Sequence, residues 1–234
     1  MKTGMDLSAA DGELTDVDLG EQTKNSVSYG SWTLASRVTG LVRVAVVAGV
    51  LGPTFLGNTY QIAVSVPTLT FELTGALFAS LLIPALVLSI DRNDRRHSER
   101  IAGGFLGVTM MGLAALTVVG VLASPLLFKL FSFSIDSSSV ASEQQRVGVI
   151  LLATLMPLVV LYGIVGTAGA VLNAHGRFAL PAGAPIVENL GVIATMGVYV
   201  VYAGIGQSLA SVGTGALLIL GIGTTAAAAL HAAV

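Results

Sequence analysis

The chain has 234 residues, of which 54% are hydrophobic and only 10% are charged, and its mean hydropathy is +0.85. Ordinary soluble domains carry roughly 25% charged residues, so this composition excludes a typical soluble protein and predicts a membrane protein. The net charge is -2 and the chain has no cysteine, which excludes disulfides, thiolate metal sites and thiol catalysis.

The amino-terminal segment differs from the rest of the chain in its acidity. Residues 1–27 contain six acidic residues and two lysines, without the basic start and short apolar run of a signal peptide. We expect residues 1–27 to form a disordered acidic tail on the cytoplasmic side, followed by a transmembrane lobe over residues 28–234.

Six long apolar stretches follow the acidic tail. A helix of about 20 residues crosses a hydrocarbon core of about 30 Å, and helices satisfy their backbone hydrogen bonds within lipid. The sequence therefore predicts an all-α, polytopic membrane helix bundle of about six transmembrane helices. The expected spans are residues 28–51, 59–90, 101–127, 147–171, 178–202 and 209–233.

The distribution of basic residues between the spans predicts their orientation. The connection at residues 91–100 carries four arginines, and Arg177 lies in a second connection on the same side. Cytoplasmic loops of membrane proteins are enriched in lysine and arginine. The amino terminus and the arginine-rich connection are therefore expected in the cytoplasm.

The second expected span is longer than an upright helix needs and contains Pro67 and Pro84. Proline removes a backbone donor and bends a helix, and bent helices often border cavities in transporters. We expect a kink in this span, or its continuation into the cytoplasm.

Ionisable residues within the apolar stretches are the first candidates for function. Burying a charge in the membrane costs several kcal/mol, so such residues usually face a cavity or a partner. Arg37 and Arg43 lie about 9 Å apart along a helix axis and about 120° apart around it, from where they could hold parts of one extended anion. The acidic candidates are Glu72 and Glu188, the latter followed by Asn189.

A purely structural role for these charges remains open. Buried cations and acids form ion pairs whether or not a substrate is bound, and Arg37 could extend to the cytoplasmic interface. No phosphate-binding loop, zinc motif or nucleophile set is present, so we expect neither enzymatic activity nor a cofactor.

Two segments carry a family resemblance. SRVTGLVRVAVVAGVLGPTFLGNTYQIAVSVPTL, residues 36–69, resembles the opening of the MurJ (MviN) lipid II flippases, with their Ser-Arg-x-x-Gly-x-x-Arg pattern. GAVLNAHGRFALPAGAPIVENLGVI, residues 169–193, is similar to the elements between the fourth and fifth helices of that family. Their order and separation match the family, and Glu72-Leu73 after Pro-x-x-x-Phe resembles an actinobacterial variant of it.

The resemblance implies one lobe of a two-lobed fold from the multidrug/oligosaccharidyl-lipid/polysaccharide exporter superfamily. Family members are thought to move undecaprenyl-pyrophosphate-linked peptidoglycan precursor across the bacterial cytoplasmic membrane by alternating access, for cell wall biogenesis. Arg37 and Arg43 match two cavity arginines of the family. Asn58 stands where many members carry Asp, and Glu72 aligns with one of two arginines.

The substrate-binding candidates are Arg37, Arg43, Asn58, Glu72, Glu188 and Asn189. The expected partners are the lipid-linked precursor, membrane lipids, and a second lobe or another copy of the chain, but no nucleic acid. Two alternatives remain: an exporter of polysaccharide-linked lipid or of a drug cation, in which Glu72 and Glu188 bind, and a membrane partner of the cell-wall machinery without transport activity.

Overall fold

The computed structural model describes residues 7–77, 80, 95–131, 133 and 137–234, and the regular elements in this part of the chain are helices. The predicted all-α fold is thus confirmed. The helices are α1 Leu7–Leu51, α2 Phe55–Leu77, α3 Arg95–Phe131, α4 Ser138–Leu155, α5 Leu158–Ala174, α6 Ala179–Gly183, α7 Pro185–Ala203 and α8 Thr214–Ala233.

Five stretches of helix in the described ranges are long and apolar enough to cross a membrane, and they coincide with five of the six expected spans. The first part of the remaining expected span, residues 59–90, corresponds to α2; the rest, including Pro84, lies outside the described residues apart from Ser80. The five stretches are Val27–Leu51, Gly103–Phe131, Ser138–Ala174, Ala179–Ala203 and Thr214–Ala233.

Several helices begin earlier than the apolar patterns indicate. Helix α1 starts at Leu7, well before the expected first span, which begins at residue 28. Helix α4 starts at Ser138, before the expected span of residues 147–171. Extending an existing helix avoids the cost of nucleation. Hydropathy therefore locates the part of a helix suited to lipid, and polar residues continue the same helix beyond it.

Helix α7 packs against α1 and α8, and α8 also contacts α4 and α5. The short helix α6 precedes α7 and packs against α1, where Trp32 covers Gly183 and Tyr29 meets Phe178 edge to face at 6.4 Å. These aromatic contacts hold the beginning of the α1 span beside the beginning of α7.

Close approach of α8 to its neighbours depends on small residues. A Cβ atom added to Gly191 would overlap Ala227, one added to Gly223 would overlap Thr195, and one added to Gly221 would overlap Thr154. Small residues allow helices to approach closely in lipid, where packing rather than the hydrophobic effect drives association. They hold α8 against α7 and α4 along much of its length.

The span formed by α4 and α5 is broken at Met156 and Pro157. Proline has no backbone N–H, so carbonyls near it lose their usual helical partners. The Thr225 hydroxyl of α8 donates to the Thr154 carbonyl at 2.8 Å, whereas the Met156 carbonyl accepts the Val159 backbone N–H at 3.0 Å and lies 3.4 Å from the Thr117 hydroxyl of α3. The break is therefore stabilised by α8 and α3.

An arginine secures the loop between α7 and α8. Arg146 Nη2 on α4 donates to the Leu209 carbonyl at 3.0 Å and to the Val212 carbonyl at 3.4 Å. Its Nε donates to Glu143 Oε2 at 2.8 Å, and both side chains of this pair are almost 40% exposed. Arg146 thus satisfies carbonyls of a turn at the end of the bundle.

Candidate functional site

Glu188, near the start of α7, joins four helices at a buried position. Its Oε1 accepts hydrogen bonds from the Tyr162 hydroxyl of α5 at 2.9 Å and from Arg43 Nη1 of α1 at 3.4 Å. Its Oε2 lies 2.8 Å from His231 Nδ1 of α8. The Glu188 side chain is only 10% exposed. A buried carboxylate requires such partners, because an unpaired one would be strongly destabilising.

Asn189 connects the same region of α7 to α1. Its Oδ1 accepts a hydrogen bond from Arg43 Nη1 at 3.3 Å. Its Nδ2 donates to the Thr39 hydroxyl at 3.1 Å and to the Ser36 carbonyl at 3.3 Å. Asn189 therefore helps to fix the position of α1 relative to α7 one helical turn away from Arg43.

Arg43 differs from its partners in being partly accessible, with 30% of its side chain exposed. Both of its hydrogen bonds to the described residues involve Nη1. Arginine has five N–H donors in a planar fork, and bidentate pairing with phosphate or carboxylate uses two of them. Donors on Nε and Nη2 consequently remain available to a ligand.

A cavity of about 250 Å³ lies next to this cluster, between α1, α2, α5, α7 and α8. Tyr60 and Thr224, whose hydroxyls are 2.9 Å apart, form part of its polar wall. Arg43, Glu188 and Tyr162 also line it, together with apolar residues of α1 such as Val47. The volume exceeds what one water molecule occupies, about 30 Å³. It is thus a largely apolar cavity whose wall also contains the Arg43 guanidinium, the Glu188 carboxylate and hydroxyl groups.

The structure brings together three of the six candidate residues, Arg43, Glu188 and Asn189. Arg37 is exposed and does not line the cavity, as expected for a residue on another face of α1. Asn58 and Glu72 on α2 are also exposed and lie outside the cavity lining. Substrate binding by each of the six remains a prediction.

Sequence reasoning missed the contributions of Tyr162 and His231. His231 is only 8% exposed and bonds to Glu188, although it lies near the end of an alanine-rich helix without any motif around it. The antiparallel pairing of α7 and α8 provides a signal for this contact. Residues at similar distances from the connecting loop lie side by side, and Glu188 and His231 satisfy that condition.

Five helical stretches in the described ranges that are long and apolar enough to cross a membrane indicate a multi-pass membrane protein. The family model described as lipid II flippase MurJ matches residues 47–234. This chain belongs to the MurJ family, a family of transporters rather than enzymes. The match includes Glu188, Asn189 and His231, whereas Arg37 and Arg43 precede it.

Curated relatives agree with the family assignment. The probable lipid II flippase MurJ of Synechocystis sp. is 28% identical over 202 residues, covering 85% of this chain and 36% of the relative. Lipid II flippase MurJ of Burkholderia cenocepacia is 27% identical, covering 72% and 32%, and the probable lipid II flippase MurJ of Vibrio cholerae is 29% identical, covering 73% and 33%. The chain spans about a third of the length of these relatives.

Proposed function

We propose that this chain provides the amino-terminal lobe of a flippase that moves undecaprenyl-pyrophosphate-linked peptidoglycan precursor, lipid II, across the bacterial cytoplasmic membrane. The proposal is supported by the family assignment and by one structural observation. Arg43 lies in the wall of a largely apolar cavity and keeps donors that its partners among the described residues do not use. The amino terminus is assigned to the cytoplasm by the positive-inside rule.

The chemistry of the cavity suits a diphosphate. A disubstituted diphosphate carries two negative charges on oxygens that accept hydrogen bonds, and the guanidinium fork matches that geometry. Tyr60 and Thr224 add hydroxyl groups to the same wall. Electrostatic attraction is stronger here than in bulk water because the surroundings are apolar. The cavity can therefore hold the charged part of a lipid-linked precursor while its apolar chain stays in lipid.

Alternating access requires a second wall that closes the substrate cavity from the other side. We assign that wall to a second lobe or to another copy of the chain. The exposed side chains of Arg37, Asn58 and Glu72 are then available to the substrate headgroup or to the facing lobe. In this arrangement Arg37 lies about 9 Å from Arg43 along α1, a separation that suits an extended headgroup.

A lipid II translocation assay tests the proposal in the protein expressed from its full natural reading frame. Arg43→Ala should abolish most of the translocation, and Arg37→Ala should reduce it. Arg146→Ala is the matched control, because that arginine secures a loop and does not line the cavity. Undiminished translocation by Arg43→Ala would remove Arg43 from the mechanism.

The alternative of a cation exporter receives less support from the geometry. Glu188 already accepts from three partners, two of which contribute N–H donors. A cation would have to displace Arg43 to reach the carboxylate from the cavity. The arrangement therefore favours an anionic ligand.

A further inference from the structure

Gln61 on α2 lines the same cavity as Arg43 but does not belong to the buried cluster around Glu188. Its backbone carbonyl accepts a hydrogen bond from Ser65 Oγ at 2.8 Å, whereas its side-chain amide bonds to none of the described residues. The Gln61 side chain is exposed, so its amide is accessible to a ligand. An amide in largely apolar surroundings is unfavourable without a hydrogen-bond partner. A ligand in the cavity would provide that partner.

Most of the other polar groups in the cavity wall are already paired. Among the described residues, six polar or charged side chains line the cavity: Arg43, Tyr60, Gln61, Tyr162, Glu188 and Thr224. The hydroxyls of Tyr60 and Thr224 lie 2.9 Å apart, and the Tyr162 hydroxyl donates to Glu188 at 2.9 Å. Arg43 donates to its partners through Nη1. The guanidinium and the Gln61 amide are therefore the groups of this wall that keep N–H donors for a ligand.

Gln61 and Arg43 lie at similar depths on two helices that border the cavity. Arg43 precedes the end of α1 at Leu51 by about 12 Å along the axis, and Gln61 follows the start of α2 at Phe55 by about 9 Å. A short connection joins these two ends, so the helices run in opposite directions and the two distances start from the same side of the bundle. A ligand held by Arg43 can therefore extend towards Gln61.

We propose that Gln61 recognises the sugar that is joined to the diphosphate held by Arg43. Arginine only donates hydrogen bonds and carries a charge, which suits anionic oxygens, whereas a glutamine amide both donates and accepts, which suits the hydroxyl and amide groups of a sugar. A lipid-linked sugar precursor presents the two kinds of group side by side. This inference rests on the proposed function, because it requires that the cavity receive the diphosphate.

Recognition by a neutral amide supplies a selectivity that the charge of Arg43 cannot supply. A guanidinium attracts phosphate oxygens whatever the phosphate is attached to. A site built to hydrogen-bond a ligand group rejects an analogue that lacks this group, because a polar side chain is then left without its partner. The cavity should therefore distinguish a glycosylated diphosphate from an otherwise identical diphosphate without the sugar.

The test compares two probes that differ only in the sugar. Farnesyl diphospho-N-acetylglucosamine and farnesyl methyl diphosphate are both disubstituted diphosphates with two negative charges and the same isoprenoid chain. Binding of each is measured by isothermal titration to the protein expressed from its full natural reading frame and kept in lipid nanodiscs. The variant is Gln61→Met, which keeps the length of the side chain and removes the amide. Gln145→Met is the matched control, since Gln145 lies on α4 outside the cavity lining.

We expect wild type and Gln145→Met to bind the glycosylated probe about 10-fold more tightly than the methyl probe, and Gln61→Met to lose most of this preference. A general disturbance of the fold would weaken both probes alike and leave their ratio unchanged. An unchanged ratio in Gln61→Met would therefore overturn the inference. Equal affinity of the wild type for the two probes would also overturn it, and that measurement does not depend on the folding of a variant.

Arg43→Gln separates this inference from the proposed function. Weaker binding of both probes by Arg43→Gln, together with an unchanged ratio in Gln61→Met, would retain the anion site and reject recognition of the sugar by Gln61. Undiminished binding of both probes by Arg43→Gln would reject the anion site itself, and with it the inference about Gln61.

Discussion

Two arginine–glutamate pairs in this molecule differ in distance and in exposure to solvent: the exposed pair is the shorter one, and the buried pair is the longer one. Arg146 and Glu143 are 2.8 Å apart, and both are almost 40% exposed at the end of the bundle. Arg43 and Glu188 are 3.4 Å apart, and the glutamate is only 10% exposed. Exposed pairs contribute little free energy because water competes for both charges. The longer pair should therefore contribute more free energy, since its glutamate is buried. It also leaves donors of Arg43 available to a ligand.

The largest expected effect follows from removing the buried acid. Glu188→Ala leaves Arg43 and His231 without their shared carboxylate, and it should lower the free energy of unfolding by about 3 kcal/mol. The matched variant Glu143→Ala should lower it by less than about 1 kcal/mol. Unfolding in detergent micelles measures both, and equal losses would contradict the difference between the pairs.

Ligand affinity should separate the two arginines. Arg43→Gln removes a charge-assisted contact and should weaken diphosphate binding by about 10- to 100-fold. Arg146→Gln should leave the affinity unchanged, because its contacts are to Glu143 and to loop carbonyls. Isothermal titration with UDP-N-acetylglucosamine gives both values, and a similar loss in the two variants would indicate a general effect of positive charge.

Tyr162 provides a smaller test of the interior pair. Tyr162→Phe removes the hydroxyl that donates to Glu188 Oε1 and should cost about 1 kcal/mol of folding free energy. Tyr202→Phe is the control, as Tyr202 is exposed near the end of α7. Thermal unfolding of the purified variants is the measurement. A loss in Tyr202→Phe as large as in Tyr162→Phe would argue against a special role for the Glu188 contact.

Salt should produce the smallest effect. The contribution of the Arg146–Glu143 pair, about 0.5 kcal/mol, should fall as salt is raised from about 0.01 M to about 1 M, because the screening length shortens from about 30 Å to about 3 Å. The buried pair should respond much less. A double-mutant cycle at the two salt concentrations measures each coupling, and equal salt sensitivity would show that water reaches both pairs alike.

The sequence predicted those parts of the site whose signal is local. An arginine or glutamate within an apolar run is visible without a structure, and Arg43, Glu188 and Asn189 were recognised in this way. The sequence did not decide between Glu72 and Glu188 as the partner of Arg43, because pairing across helices depends on which helix faces meet. Helix existence and approximate position were equally predictable, since membrane spans need long apolar runs.

The unpredicted features arise from tertiary packing. Nothing local distinguishes Tyr162 from other tyrosines in the chain, and His231 lies in an alanine-rich segment that suggested only a helix end. The close packing of α8 on α7 at Gly191 and Gly223 places His231 beside Glu188. Such contacts depend on the three-dimensional registry of two helices.

The interruption at Met156 and Pro157 also affects how the bundle can move. The Thr225 hydroxyl of α8 donates to the Thr154 carbonyl at 2.8 Å, and the Met156 carbonyl accepts the Val159 backbone N–H at 3.0 Å. Because both carbonyls have partners, bending at this joint can occur without leaving them unpaired in hydrocarbon. The span from Ser138 to Ala174 can therefore bend between its two helices, and Tyr162 lies on the second helix, which lines the cavity.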